Sequence, residues 1–115
     1  MTQRVRDRES QLHERLARAG LRATRWSNEP HAVYGVHDHP YAKVLVVVEG
    51  SITFTLARPG MGDARRAVES TSRRVPMKPG DRLELAAQTP HSAVVGPEGV
   101  VCLEAHLDVD QADRT

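Results

Sequence analysis

Glycine and proline are distributed unevenly along this chain of 115 residues, and their placement constrains the fold more than any other feature. None of the eight glycines and seven prolines occurs in residues 1–19, and all of them lie from Gly20 onward. The first stretch is rich in helix formers, and its apolar residues recur near helical spacing: Val5, Leu12, Leu16 and Ala19. We therefore predict one amphipathic helix over residues 5–19, which ends at Gly20.

After Gly20 the breakers recur at intervals of about ten residues, the spacing of short strands joined by turns. The runs between them are rich in β-forming residues: Lys43–Val48, Ser51–Ala57, Arg82–Ala86, Ser92–Val95 and Val100–Leu107. Many short strands with regular turns are typical of a sandwich or barrel. We predict a single all-β domain, with its barrel over residues 21–108 and a flexible tail over 110–115.

Composition argues against several classes of partner. With 16 basic and 15 acidic residues the formal net charge is +1, which indicates no polyanion. One Trp, two Tyr and one Phe are too few for a base-stacking platform, so we expect no nucleic-acid partner. The longest aliphatic run, Val44–Val48, is far shorter than the ~20 residues of a membrane span. The lone Cys102 forms no internal disulfide, and we expect a cytoplasmic protein without a membrane partner.

Two histidines, His37 and His39, precede the most strand-like run of the chain. Residues two apart on a strand face the same side, so both rings are able to reach one ion. The spacing His37-x-His39-x3-Lys43-x6-Gly50 resembles the first motif of the cupin superfamily, G-x5-H-x-H-x3,4-E-x6-G. His31 stands at the first glycine position of that motif, and Lys43 stands at the position of its glutamate.

The second cupin motif, G-x5-P-x-G-x2-H-x3-N, is also partly present. Gly80 and His91 keep its eleven-residue separation, whereas Ala86, Gln88 and Val95 replace its proline, glycine and asparagine. The resemblance covers roughly residues 31–107. It implies a double-stranded β-helix, which is a jelly-roll barrel around a central pocket.

In proteins that this chain resembles, the two histidines of the first motif and the histidine of the second usually hold one divalent metal. The resemblance therefore nominates His37, His39 and His91 as metal ligands. Imidazole suits several transition metals, so the ion is Fe, Zn, Ni, Mn or Cu. The barrel pocket implies a small-molecule ligand, and the resemblance leaves the reaction undetermined, with dioxygenase-like and isomerase-like chemistry both compatible.

Lys43 is the main departure from the motif. It shares strand parity with the two histidines of the first motif, so an unbulged strand points it into the barrel. At an effective dielectric of ~20 and a separation of ~5 Å, an ammonium and a dication repel by about 6–7 kcal/mol. Lys43 must therefore lose its proton, keep its distance, find a carboxylate or weaken the metal site. Alternatively, the register slips at Pro40 and Lys43 points to solvent.

Three functions remain open at this stage. In the first, three histidines hold a metal and Lys43 binds an anionic substrate or a developing oxyanion. In the second, the pocket is free of metal and uses Lys43 and the histidines to bind or sense a small organic anion. In the third, Lys43 is itself catalytic, as a base or as a Schiff-base nucleophile.

The last predicted strand alternates in polarity and places Cys102, Glu104 and His106 on one face. Glu104 is positioned to neutralise Lys43 and so to restore the carboxylate that the motif lacks. Glu104 and His106 are therefore further candidate ligand-binding residues, and the alternative is that this face is exposed to solvent. For Cys102 we expect an inert, packed thiol.

The valines of the run that follows Lys43 alternate onto the opposite face: Val44, Val46 and Val48. Barrels of the cupin type often associate edge to edge. We therefore predict that these valines support a homodimer.

Overall fold

The N-terminal stretch without glycine or proline forms one helix, α1 (Gln3–Arg18), in a computed structural model that describes residues 2–57 and 73–107. The hydroxyl of Thr2 caps the helix by accepting a hydrogen bond from the backbone N–H of Val5 at 3.2 Å. The helix lies within two residues of its predicted bounds. No helix in the described ranges is both long and apolar enough to cross a membrane. The predicted tail over 110–115 lies outside those ranges.

Strands make up the rest of the described architecture, and all of their pairings are antiparallel. Their bounds are β1 (Thr24–Asn28), β2 (Val33–His37), β3 (Lys43–Leu56), β4 (Arg73–Met77), β5 (Arg82–Leu85) and β6 (His91–His106). This confirms the predicted all-β architecture with one N-terminal helix. Two long strands replace four of the predicted runs, because β3 and β6 each continue through a predicted break.

The long strands β3 and β6 pair with each other over almost their whole length. Their register shifts between Val47 and Glu49 and again between Gly50 and Ile52. Gly50 has a φ of 78°, and a Cβ there would lie 2.0 Å from the carbonyl oxygen of Gly99. Only glycine tolerates both conditions, so the predicted break at Gly50 is a bend within one strand.

The bend divides the barrel into two halves, and each half contains part of β3 and part of β6. In the first half, β1 pairs with β6 and β5 pairs with β3. In the second half, β2 pairs with β6 and β4 pairs with β3. The inward side chains of both halves form one apolar core, which includes Leu45, Val47, Ile52, Phe54, Met77, Leu83, Leu85, Val95, Val100 and Cys102.

The outer face of the first half is covered by α1. Val44, Val46 and Val48 of β3 are buried there against Leu12 and Leu16 of the helix. The prediction that these valines form a homodimer contact is therefore wrong, because the helix of the same chain already covers them. The homodimer itself stays a prediction. The alternation predicts this face correctly, but it does not indicate that the helix is the element that buries it.

Candidate metal centre and its cavity

Three histidines meet at one place in the barrel, although they come from two strands and a loop. His37 ends β2, His91 begins β6 and the two are partners in the strand register, while His39 lies two residues after the end of β2. One ring nitrogen from each of the three lies within 4.8 Å of the other two. His91 is buried, His39 is half-buried and His37 is exposed. The structure thus brings together the three residues that the motif spacing nominated.

Backbone carbonyls orient two of these rings. Nδ1 of His37 lies 2.8 Å from the carbonyl oxygen of Gly35, and Nδ1 of His91 lies 2.8 Å from that of Thr89. Because a carbonyl oxygen only accepts, Nδ1 must carry the proton and donate in both cases. Nε2 then keeps its lone pair, and this is the arrangement by which proteins present histidine to a metal.

The surroundings also favour neutral imidazoles. Burial lowers the pKa of His91 below its ordinary value, and the neighbouring charges of His37 and Lys43 lower it further, against the opposing hydrogen bond to Thr89. Burial likewise lowers the pKa of His39, with the charge of Lys43 as the next cause. Metal ligands must be deprotonated, so these shifts keep both rings in the form that coordinates.

Lys43 lies inside the barrel, where it is 8% exposed. Its Nζ is 3.4 Å from Nε2 of His39 and 3.4 Å from Oε1 of Glu104. An ammonium group has no acceptor, so the His39 nitrogen must accept this hydrogen bond. Oε1 of Glu104 also accepts from the indole N–H of Trp26 at 3.2 Å. Lys43 is therefore paired with Glu104, the carboxylate that strand alternation predicted on the same face of the barrel.

A cavity of about 330 Å³ adjoins these groups. Its polar lining forms one connected cluster made of the three histidines, Lys43 and Glu104. The rest of the lining is aromatic or aliphatic apart from Ser27, and comprises Trp26, Tyr34, Leu45, Ile52, Phe54 and Ala93. The site thus joins a metal-ligating corner to a largely apolar chamber.

His106 does not line this cavity. It is exposed, and its ring stacks on that of Tyr41 with the centroids 3.8 Å apart and the planes inclined by 19°. Strand alternation predicted the face of His106 correctly but could not show that the cavity ends before it. The prediction of a direct ligand contact therefore has no support in its position.

Cys102 is fully buried in the apolar core. Burial raises the pKa of its thiol to about 12, and the charge of Glu104 adds to this effect. Such a thiol is almost entirely protonated at neutral pH and is a poor nucleophile. This agrees with the packed, inert role expected from the sequence.

Tyr41 is a component of the site that the motifs did not indicate. Its ring stacks on His39 with the centroids 5.1 Å apart and the planes inclined by 22°, and it also stacks on His106. Tyr41 therefore links the half-buried His39 to the exposed His106. The aromatic walls contributed by Trp26 and Phe54 were also missed, since nothing in their local sequence indicates a pocket.

Comparison with solved structures identifies the architecture. The cupin domain of Drosophila melanogaster CENP-C matches 75% of the chain with a TM-score of 0.57 and 15% identity. A DMSP lyase structure matches 81% of the chain (TM-score 0.61, 22% identity), and Bacillus subtilis oxalate decarboxylase matches 75% of it (0.61, 21%). This chain therefore has the fold of the cupin superfamily.

The matches cover 59%, 41% and 20% of the lengths of those three proteins. No protein-family model matches the chain, and no curated protein matches it in sequence. At these identities the likeness concerns the fold alone. The three adjacent histidines are able to hold a metal, but the function has to be argued from the site itself.

Proposed function

We propose that this chain binds a divalent transition metal through His37, His39 and His91 and receives a small organic anion in the adjoining cavity. The observation that carries the proposal is the convergence of three imidazoles, two of which have Nδ1 bound to a backbone carbonyl. Fe, Zn, Ni, Mn and Cu remain equivalent candidates because imidazole suits most of them.

The donor set fits such an ion. Imidazole nitrogens bind Zn²⁺ at ~2.0–2.1 Å, so two of them on the same ion are at most ~4.2 Å apart. The three ring nitrogens lie within 4.8 Å of one another, so small ring movements are sufficient to close the set. His37 is exposed and has room for such a movement. A bound metal would supply Lewis-acid chemistry to an oxygen of the ligand.

Pairing with Glu104 offsets the positive charge of Lys43 and so makes a lysine compatible with a metal site. The three histidines are neutral in their ligating form, and the opposite charges of Lys43 and Glu104 lie 3.4 Å apart. The charges of Lys43 and Glu104, which line the cavity, then cancel. A divalent ion would leave the site with two positive charges, which favours an anionic ligand over a neutral one.

A second candidate, a metal-free binding pocket, is favoured by one specific contact. Nε2 of His39 accepts a hydrogen bond from Lys43, and this is a nitrogen that a metal would use. In that function the ammonium of Lys43 and the rings of the histidines would bind the ligand directly. The two candidates share the cavity and differ in whether the histidines coordinate.

Elemental analysis of the purified protein distinguishes the two candidates. We expect about one metal per chain in the wild type and in His13→Ala, a matched control in which an exposed histidine of α1 is removed. We expect no metal in His37→Ala after the same preparation and the same Zn²⁺ exposure. Equal trace amounts in the wild type and in His37→Ala would refute the metal site and leave the metal-free pocket.

A further inference from the structure

The polar atoms of the aromatic wall already have partners within the protein. The indole N–H of Trp26 donates to Glu104, and the amide of Asn28 donates to the hydroxyl oxygen of Tyr34. Because the Tyr34 hydroxyl accepts in this contact, it keeps its own hydrogen and is able to donate one hydrogen bond. Trp26 therefore presents its ring to a ligand, and Tyr34 presents its ring and one donor.

Most of the remaining wall is apolar. Leu45, Ile52, Phe54 and Ala93 carry no polar side-chain atom, whereas Ser27 offers one hydroxyl. A hydroxyl or amide of a ligand that is buried against the four apolar side chains would be left without a partner, at a cost of ~1–3 kcal/mol for each group. Ligands with many polar groups, such as polyols and sugars, are therefore poorer occupants than ligands with a hydrocarbon body.

Volume sets the size of the occupant. Small-molecule pockets span ~300–1,000 Å³, so a cavity of about 330 Å³ lies at the small end of that range. This favours a compact ligand, such as a six-membered ring with a short substituent.

Charge sets the number of anionic groups. Among the described residues that line the cavity, Lys43 is the one Lys or Arg, and it lies in the same connected cluster as the three histidines. A second carboxylate at the apolar end would lie among hydrocarbon side chains without a counter-charge, which is strongly unfavourable. The site therefore favours a ligand with a single anionic group.

Resting on the proposed function, we infer that the cavity binds a small monocarboxylate with an aromatic or compact hydrocarbon body. The carboxylate lies at the histidine and Lys43 corner, and the body packs against Trp26, Tyr34 and Phe54. Benzoate and cyclohexanecarboxylate are representative probes of this class.

Trp26 allows the inference to be tested directly, because it is the one tryptophan of the chain and it lines the cavity. Its fluorescence is recorded while the Zn²⁺-loaded protein is titrated with benzoate, cyclohexanecarboxylate, succinate or benzyl alcohol. We expect both monocarboxylates to change the emission saturably, and succinate and benzyl alcohol to bind at least tenfold more weakly. Equal affinity for succinate, or no response to any carboxylate, would overturn the inference.

Two neighbouring residues of β6 provide a matched pair of variants. Ala93 is buried and lines the cavity, whereas Val94 is 51% exposed. Ala93→Leu fills the chamber and should weaken benzoate binding at least tenfold, whereas Val94→Leu should leave it unchanged. If Ala93→Leu folds poorly by circular dichroism, Ala93→Val provides a smaller filling and should weaken binding severalfold. Unchanged benzoate affinity in the folded Ala93 variant would refute the placement.

A calorimetric Zn²⁺ titration of the same samples distinguishes failure of the inference from failure of the proposed function. A wild-type protein that binds no Zn²⁺ refutes the metal function. A protein that holds Zn²⁺ but does not respond to benzoate refutes the monocarboxylate inference alone. The folded Ala93 variants should keep the wild-type affinity for Zn²⁺, because the residue is not a ligand.

Discussion

Replacing Lys43 with methionine removes a positive charge from the candidate metal centre while keeping a side chain of similar length. Nζ lies 3.4 Å from Nε2 of His39. An ion bound to that nitrogen at ~2.1 Å would therefore be within ~5.5 Å of the ammonium. At an effective dielectric of ~20, this separation gives a repulsion of about 6 kcal/mol. Movement of the lysine and attraction by Glu104 offset much of it, so we expect Lys43→Met to strengthen Zn²⁺ binding at least tenfold, or by ~1.4 kcal/mol.

The opposite change should follow from Glu104→Gln. The lysine and the carboxylate lie 3.4 Å apart, and at a dielectric of ~20 their attraction is about 5 kcal/mol. Removing the carboxylate leaves the ammonium unbalanced beside the ion, so we expect Zn²⁺ binding to weaken at least tenfold. The double variant lacks both charges and should return to within about threefold of the wild-type affinity.

Isothermal titration calorimetry of Zn²⁺ into the four proteins measures these affinities, and circular dichroism checks that each variant is folded. Opposite signs for the two single variants, with near cancellation in the double variant, are the expected signature. Single variants that shift the affinity in the same direction, or that leave it unchanged, would show that the pair does not control charge at the centre.

Three further outcomes test other parts of the structure. Tyr41→Leu removes a ring that stacks on His39 and should lower the calorimetric Zn²⁺ affinity severalfold. Tyr41→Phe keeps the ring and should match the wild type. Equal Zn²⁺ affinities in all three proteins would exclude a positioning role for Tyr41. Because the pKa of Cys102 is raised to about 12, its thiol should not react with a disulfide reagent at pH 8 in the native protein but should react fully in denaturant. Gly50→Ala should lower the free energy of unfolding by at least ~2 kcal/mol in urea titrations, since its φ is positive and its Cβ would meet Gly99. Gly35→Ala, which has open space around it, should change stability far less and is the control.

The strands of the barrel differ in how well the sequence pattern predicts them. The apolar runs of β3 and β6 are recognisable because glycine and proline flank them, although the pattern predicts each strand as two separate runs. In contrast, β4 contains Pro76, which the sequence pattern treats as a breaker. Among the described strands, β4 pairs with β3 alone, and proline is tolerated on such an edge. A local pattern cannot distinguish an edge strand with a proline from a loop.

Some residues of the candidate site are likewise predictable from the sequence, and others are not. Motif spacing was sufficient to nominate the three histidines, and strand alternation was sufficient to place Glu104 on the face of Lys43. The contact between Trp26 and Glu104 joins residues 78 positions apart, and no local signal predicts it. The position of His106 depends on where the cavity ends along β6, which is a property of the closed barrel. What the sequence could not provide was therefore the assembly of distant segments.

The alternation along β3 ties the site to the fold in a way that limits how this segment can change during evolution. Lys43 and Leu45 point into the barrel, while Val44 and Val46 lie under α1. Inserting one residue within β3, between Val44 and Leu45, would exchange the faces of the residues before it, so Lys43 would move beneath the helix and Val44 would move into the cavity. Inserting two would preserve the parity of the strand. Lineages that diverge from this chain should therefore change the length of the loop after His39 readily, but should rarely gain or lose a single residue within β3.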